Sequence, residues 1–489
     1  MTPRPFRRAI AVGCLVPLLS IGPLLTPAEA QIPTPEMAAG PAGSWQGSLA
    51  VGPGIELPLV VHLTPGDEGD WTATLDSPAQ GAVGIPVSSV AWDDGLLRLE
   101  ISAIGATYEG RLDAEGRLEG TFQQGGTSFP LTLERTEDPG ALLPRPQHPE
   151  PPFPYREVDV RFPNAEAGIH LAGTLTLPDG DGPWPAVVMV TGSGPQDRDE
   201  TLLGHKPFLV IADHLTRAGI AVLRYDDRGV AESEGDFAAG TTLDFAGDAA
   251  AAVDFLLDHA EVDPARIGIV GHSEGGLIAP IVAADNDVAF VVLLAGTGVD
   301  GGAILLQQAE AISRTMGVSD EGVAQILDFQ RAMQAILRAE EDPDARRDAL
   351  EALLRDMIES MDPQERVEQG IQRDEDWVQM QLATGASPWF REFVLLDPRP
   401  YLEQLDVPVL GLFAQLDLQV LPEPNRAAMA EALDRAPADD VTLIVLPGLN
   451  HLFQTAETGA PSEYALIEET FAPIALDTIR DWILERFGG

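Results

Sequence analysis

Gly271-His272-Ser273-Glu274-Gly275-Gly276 follows the apolar run Arg266 to Val270 and precedes a stretch rich in Ala, Leu and Ile. This is the pattern of a strand that turns sharply into a helix. Small residues on either side of a central serine let the backbone take a strained conformation that pushes the hydroxyl into open space. Ser273 is therefore the candidate nucleophile, and the rest of the chain has to supply what a serine lacks.

A serine hydroxyl is barely nucleophilic near neutral pH, so it needs a base, and the base needs an acid to orient it. Asp417 follows the apolar run Val407 to Ala414, where the chain leaves a strand. His451 follows Val441 to Pro447, in the loop that carries Gly448-Leu449-Asn450. The order is serine, aspartate, histidine, each just beyond the carboxyl end of a predicted strand. That spacing lets three distant side chains converge at one edge of a parallel sheet.

Each residue alone has an ordinary reading: Ser273 as a helix cap, Asp417 as a solvated turn residue, His451 as a hydrogen-bonded surface histidine. Their joint order and strand-then-loop context favour catalysis. His272 points away from Ser273 on the incoming strand and reads as structural. The histidines at 62, 148, 170, 205, 214 and 259 show no zinc-ligand spacing, so no metal is expected. The acidic loops Asp67-Glu68-Gly69-Asp70 and Asp197-Arg198-Asp199-Glu200 lack the spacing of a calcium loop and read as solvated charge. With no Walker-type loop and no dinucleotide fingerprint, no cofactor is expected either.

Composition divides the chain. From about Gly43 to Arg135 short runs alternate apolar and polar residues between Gly and Asp turns, which predicts a small all-β, barrel-like domain over residues 43–135. Residues 136–154 carry Pro139, Pro144, Pro146, Pro149, Pro151, Pro152 and Pro154 and read as an extended linker. Over residues 155–489 the apolar runs at 186–190, 220–223, 267–270, 288–294, 407–413 and 441–446 alternate with helical stretches. Runs apolar on both faces imply a mostly parallel sheet with helices on either side. The alternation breaks at about 299–400, where Val323, Ile326, Leu327, Met333, Ile336 and Leu337 keep helical spacing and Asp342-Pro343 fits a helix start. A helical cap is expected there, above the site.

Residues 1–30 read as a signal peptide: Arg4, Arg7 and Arg8, then an apolar stretch from Ala9 to Leu25, then Ala28-Glu29-Ala30. Cleavage would begin the mature chain at Gln31 and place it in the periplasm or outside the cell. The one cysteine, Cys14, lies in the segment to be removed, and too few apolar residues separate it from Arg8 for a lipoprotein signal. No later run is long enough to span a bilayer. The chain carries 30 basic and 77 acidic residues, a net charge of −47, which repels nucleic acid and anionic membranes. Lys206 is its one lysine, a composition suited to salty surroundings or strong selection for solubility.

The chain resembles the serine aminopeptidase-like branch of the α/β-hydrolases, which includes secreted bacterial esterases. The resemblance is carried by Gly271 to Gly276, Asp417, His451, Thr191-Gly192-Ser193-Gly194-Pro195, Asp227-Arg228-Gly229-Val230-Ala231-Glu232-Ser233, Ser387-Pro388-Trp389-Phe390 and Asp397-Pro398. It covers most of residues 155–489, and the β domain before it looks like the lipocalin-like domain some of these exported enzymes carry. Thr191 stands where relatives often have histidine and Ala231 where glycine is usual; neither change removes a reactive group. The resemblance implies an α/β-hydrolase fold with a Ser273-His451-Asp417 triad. It also implies an oxyanion hole built from the backbone N–H groups of Ser193 and Glu274, with Arg228 buttressing the loop. A small-molecule acyl ester is the expected substrate, an aminopeptidase activity the alternative, and a noncatalytic ligand-binding role the third reading.

Overall fold

The computed structural model describes residues 41–488 apart from 53–54, 67–69, 78–81, 125–126, 137–143, 362–365, 367–370 and 372. The expected signal peptide, Cys14 and part of the first acidic loop lie outside the described residues.

The first unit is an antiparallel meander of nine strands: β1 (Gly43–Gly52), β2 (Ile55–Pro65), β3 (Trp71–Ser77), β4 (Ala82–Pro86), β5 (Ser89–Asp93), β6 (Leu96–Ile101), β7 (Ala106–Leu112), β8 (Leu118–Gln124) and β9 (Thr127–Thr136). Their order, β4-β3-β2-β1-β9-β8-β7-β6-β5, brings first and last strands together and leaves the seam between β4 and β5. Alternate residues face inward, and Trp45, Leu59, Val61, Leu97, Leu99, Tyr108, Leu118 and Leu133 form one core. The Tyr108 hydroxyl donates to the Leu118 carbonyl at 2.8 Å. A phenol is tolerable in an apolar interior when its hydroxyl is satisfied in this way.

The second unit is built on an eight-stranded sheet: β10 (Arg156–Asn164), β11 (Ile169–Leu177), β12 (Trp184–Val190), β13 (Ala221–Tyr225), β14 (Val262–His272), β15 (Phe290–Leu294), β16 (Val409–Ala414) and β17 (Val441–Leu446). The order is β10-β11-β13-β12-β14-β15-β16-β17. From β13 to β17 every pairing is parallel, while β10 and β11 pair antiparallel at the edge. Along β12, Ala186, Val188 and Val190 enter the core on one face, and Val187 and Met189 enter the other. This two-sided burial is why the central strands are continuous apolar runs.

Helices cover both faces. α1 (Pro207–Arg217) packs on one, and α2 (Thr242–Leu257) and α3 (Gly275–Asp285) on the other. Between β15 and β16 lie α4 (Gly301–Thr315), α5 (Asp320–Ala339), α6 (Pro343–Ser360), α7 (Asp374–Gly385), α8 (Pro388–Leu395) and the short α9 (Arg399–Leu402). Asp342 caps α6 through the backbone N–H groups of Asp344 and Ala345, at 3.1 and 2.9 Å. α10 (Pro422–Leu433) follows β16, and α11 (Pro473–Phe487) closes the face that α1 covers. Among the described residues no helix is long and apolar enough to cross a membrane.

The described part of the Pro-rich segment is not a free spacer. The Arg145 guanidinium donates to the carbonyls of Leu203, Ala465 and Ile467. The Gln147 amide donates to the Phe471 carbonyl at 2.7 Å and accepts from the Thr470 and Phe471 N–H groups. Proline sets the backbone direction here, while Arg145 and Gln147 fasten it.

Candidate active site

Ser273, Asp417 and His451 meet just past the carboxyl ends of β14, β16 and β17. The Ser273 hydroxyl oxygen lies 3.1 Å from His451 Nε2, and His451 Nδ1 lies 2.8 Å from Asp417 Oδ2. The other Asp417 oxygen accepts the N–H groups of Gln419 and Val420, at 2.7 and 2.9 Å. Asp417 is 1% exposed and His451 4%. Such a carboxylate is fixed in orientation and offers its free oxygen only to the imidazole.

The elbow is strained as its sequence requires. Ser273 has φ of +53°, in the left-handed region that ordinary side chains rarely adopt. A methyl group on Gly275 would sit 2.1 Å from the Val190 carbonyl oxygen, so β12 can lie against the turn only because residue 275 has no side chain.

The loop after β12 folds over the nucleophile. A Cβ on Gly192 would lie 3.3 Å from the Ser273 Cβ. The Gly192 N–H is already committed to Glu200 Oε1 at 2.7 Å, which leaves Ser193 as the next amide along the loop. Asp227 holds the loop from behind: Thr191 donates its hydroxyl to one oxygen at 2.8 Å, and Gln196 its N–H to the other at 2.9 Å. Arg228, expected to buttress this loop, instead pairs with Asp248 at 2.6 Å and donates to the Asp244 carbonyl on α2. Two carboxylates behind it draw the guanidinium away, and its neighbour Asp227 does the buttressing.

Glu200 also departs from the sequence reading. Far from being solvated loop charge, it is 5% exposed and accepts from His272 Nδ1 at 2.9 Å. The other His272 nitrogen faces the His451 carbonyl oxygen at 3.0 Å. Burial opposes a charge on His272, but Glu200 and the His451 carbonyl outweigh it and its pKa is raised. His272 thus joins the loop after β12 to the backbone of His451. Its sequence signal, a histidine beside the serine, has no meaning until Glu200 is known to lie opposite.

Glu274 is buried, and its Oε1 accepts Thr242 Oγ1–H at 2.7 Å and Trp389 Nε1–H at 2.8 Å. Desolvation raises its pKa, with the hydrogen bonds from Trp389 and Thr242 opposing. Among the described residues no group of three or more His, Cys, Asp or Glu side chains could hold a metal ion.

Residues 167–397 match the X-Pro dipeptidyl-peptidase (S15) family, a span that contains Ser273 but neither Asp417 nor His451. Esterase EstD of Thermotoga maritima is 26% identical over 369 residues, 75% of this chain and 73% of that protein. Among solved structures, the α/β-hydrolase GrgF of Penicillium sp. sh18 is 17% identical, with a TM-score of 0.43 over 68% of this chain and 100% of that one. An esterase of Pyrococcus furiosus is 15% identical, with a TM-score of 0.41 over 69% and 92%. The family match and the curated relative support a serine hydrolase.

Proposed function

We propose that the chain hydrolyses carboxylic acyl esters through a Ser273-His451-Asp417 triad and an acyl-enzyme intermediate. The observation that carries this reading is the continuous hydrogen-bonded line from the Ser273 hydroxyl through both ring nitrogens of His451 to the buried Asp417. His451 Nε2 takes the Ser273 proton as Oγ attacks the acyl carbonyl, and Asp417 stabilises the imidazolium that forms. The backbone N–H groups of Glu274 and Ser193 hold the oxyanion, each worth on the order of 3 kcal/mol. Collapse expels the alcohol, which takes the proton from His451. Water, deprotonated by the same nitrogen, then releases the acid and restores Ser273.

An ester is preferred because an alcohol leaves more readily than an amine and because the curated relative is named an esterase. Peptide cleavage is the second reading, and the family match to X-Pro dipeptidyl-peptidases favours it. The test compares p-nitrophenyl butyrate with prolyl and X-Pro arylamides on wild type and Ser273→Ala. Ester turnover and fluorophosphonate labelling, both abolished by Ser273→Ala, are expected. Faster arylamide turnover would favour the peptidase, and labelling that survives Ser273→Ala would move the nucleophile elsewhere.

The proposal extends to location. The amino-terminal segment supports export to the periplasm or beyond, with cleavage after Ala30. Amino-terminal sequencing of the exported chain should begin at Gln31; an intact Met1 would end that part of the reading.

A further inference from the structure

Residues 464–472, between β17 and α11, support the loops of both His451 and Asp417. On the His451 side, the Ala472 N–H donates to the Phe453 carbonyl at 2.8 Å and the Thr455 N–H to Glu469 Oε1 at 2.7 Å. Phe471 stacks on Phe453, with centroids 5.3 Å apart. On the Asp417 side, the buried Tyr464 hydroxyl accepts from the Gln419 side-chain amide at 3.1 Å, and the Gln419 N–H donates to Asp417.

Two residues of the Pro-rich segment grip this support by its backbone. Arg145 donates to the carbonyls of Ala465 and Ile467, and to that of Leu203 at 3.0 Å. Leu202, beside Leu203, packs with Leu452 and Tyr464. Gln147 bonds Phe471 in both directions and accepts the Thr470 N–H at 2.6 Å. A connecting stretch with no ladder of its own owes its position to such bonds.

We propose that Arg145 and Gln147 are positioning residues for the reaction: the run of chain before β10 is a strap that sets residues 464–472, and through them the placement of Asp417 and His451. Neither strap residue bonds a triad side chain. An imidazole shifted by about 1 Å transfers the Ser273 proton far less well, so a loosened strap costs kcat before it costs substrate binding. The inference rests on the serine-hydrolase reading.

The experiment compares the full chain with Gln147→Ala, Arg145→Gln and, as a control in the same run, Glu150→Ala at an exposed position. The readouts are kcat and KM on p-nitrophenyl butyrate, the rate of fluorophosphonate labelling, the thermal midpoint, and hydrogen exchange over residues 449–455. Below the melting transition, the two strap variants should each lower kcat about tenfold and slow labelling in step, with KM moving less than about threefold. Exchange over residues 449–455 should quicken in both, and Glu150→Ala should match wild type throughout. Should Arg145→Gln not fold, Arg145→Lys, which keeps a donor, should show a smaller loss of the same kind. A midpoint that falls while kcat and labelling hold would make the strap a stabiliser alone and overturn the proposal. A change in KM alone, or a kcat loss that Glu150→Ala shares, would overturn it too. The underlying reading fails separately, if Ser273→Ala retains turnover.

Discussion

At the scale of single residues, the strength of the proposed triad lies in how little freedom Asp417 has. Two backbone N–H groups occupy one oxygen, and the other faces His451. Asp417→Asn preserves shape but presents an amide to His451, favouring the tautomer that cannot accept the Ser273 proton. The expected loss in kcat is on the order of 10⁴, with little change in stability, checked by ester turnover and thermal melting. The three residues were legible because each has its own signal, a strand end followed by a loop. Glu200 and His272 were not, because a buried pair between residues 72 positions apart leaves no local pattern. Buried histidines also give the protein opposing responses to pH. His272, its pKa raised in the fold, contributes stability that is present in acid and lost as pH rises through its folded value. His205 does the reverse. It faces the Tyr464 carbonyl through Nε2 and Thr470 Oγ1 through Nδ1, a neutral-ring arrangement. Burial, with Arg145 nearby, lowers its pKa from 6.5 to about 4. As pH falls through that window the unfolded chain gains a proton the folded chain refuses, at a cost of up to about 3 kcal/mol. Chemical denaturation of wild type and His205→Gln across this range should show a shallower loss in the variant, and parallel slopes would refute the assignment.

At the scale of elements, the central strands were readable because each is apolar on both faces, and the cap helices because their periodicity starts at recognisable caps such as Asp342. The antiparallel β10 and β11 were missed. β10 is largely exposed, and β11, buried along most of its length, carries a histidine and two threonines that break the apolar run. The contact of α8 with the elbow was equally hidden, since a Trp–Glu hydrogen bond across 115 positions has no spacing rule. What the elbow sequence does specify is close packing of β12 against the turn into α3. Gly275→Ala would press a methyl group to 2.1 Å from the Val190 carbonyl oxygen. Backbone cannot yield as a flexible side chain does, so the substitution should destabilise the second unit by about 3 kcal/mol. It should also depress ester turnover even where the chain stays folded, because β12 leads into the loop proposed to hold the oxyanion. A melting temperature and kcat both equal to wild type would show that the turn has slack.

At the scale of the whole molecule, charge outweighs any single contact. Most arginines with a described partner meet a carboxylate, as in Arg117 among Asp113, Glu115 and Glu119 or Arg435 between Glu403 and Glu431. These exposed pairs are individually weak. They also leave most of the 77 acidic residues unneutralised, with a net charge of −47 on the chain. Removing residues 1–30 would deepen the imbalance, because Arg4, Arg7 and Arg8 leave with Glu29 as the only acid. A compact body with that charge repels itself, and unfolding relieves the repulsion by spreading the charges apart. Salt removes the penalty: at molar ionic strength the screening length falls to about 3 Å, shorter than the separation of most surface carboxylates. Salt weakens the exposed arginine pairs too, but attraction at 30 cations is outweighed by repulsion among 77 anions. Stability should therefore rise with salt, and the midpoint of thermal unfolding should be higher in molar potassium chloride than in dilute buffer. The same molarity of a neutral osmolyte separates this effect from preferential exclusion, since it leaves charge repulsion intact. A midpoint that falls or stays level in potassium chloride would mean that the ion pairs, and not the repulsion, govern the fold.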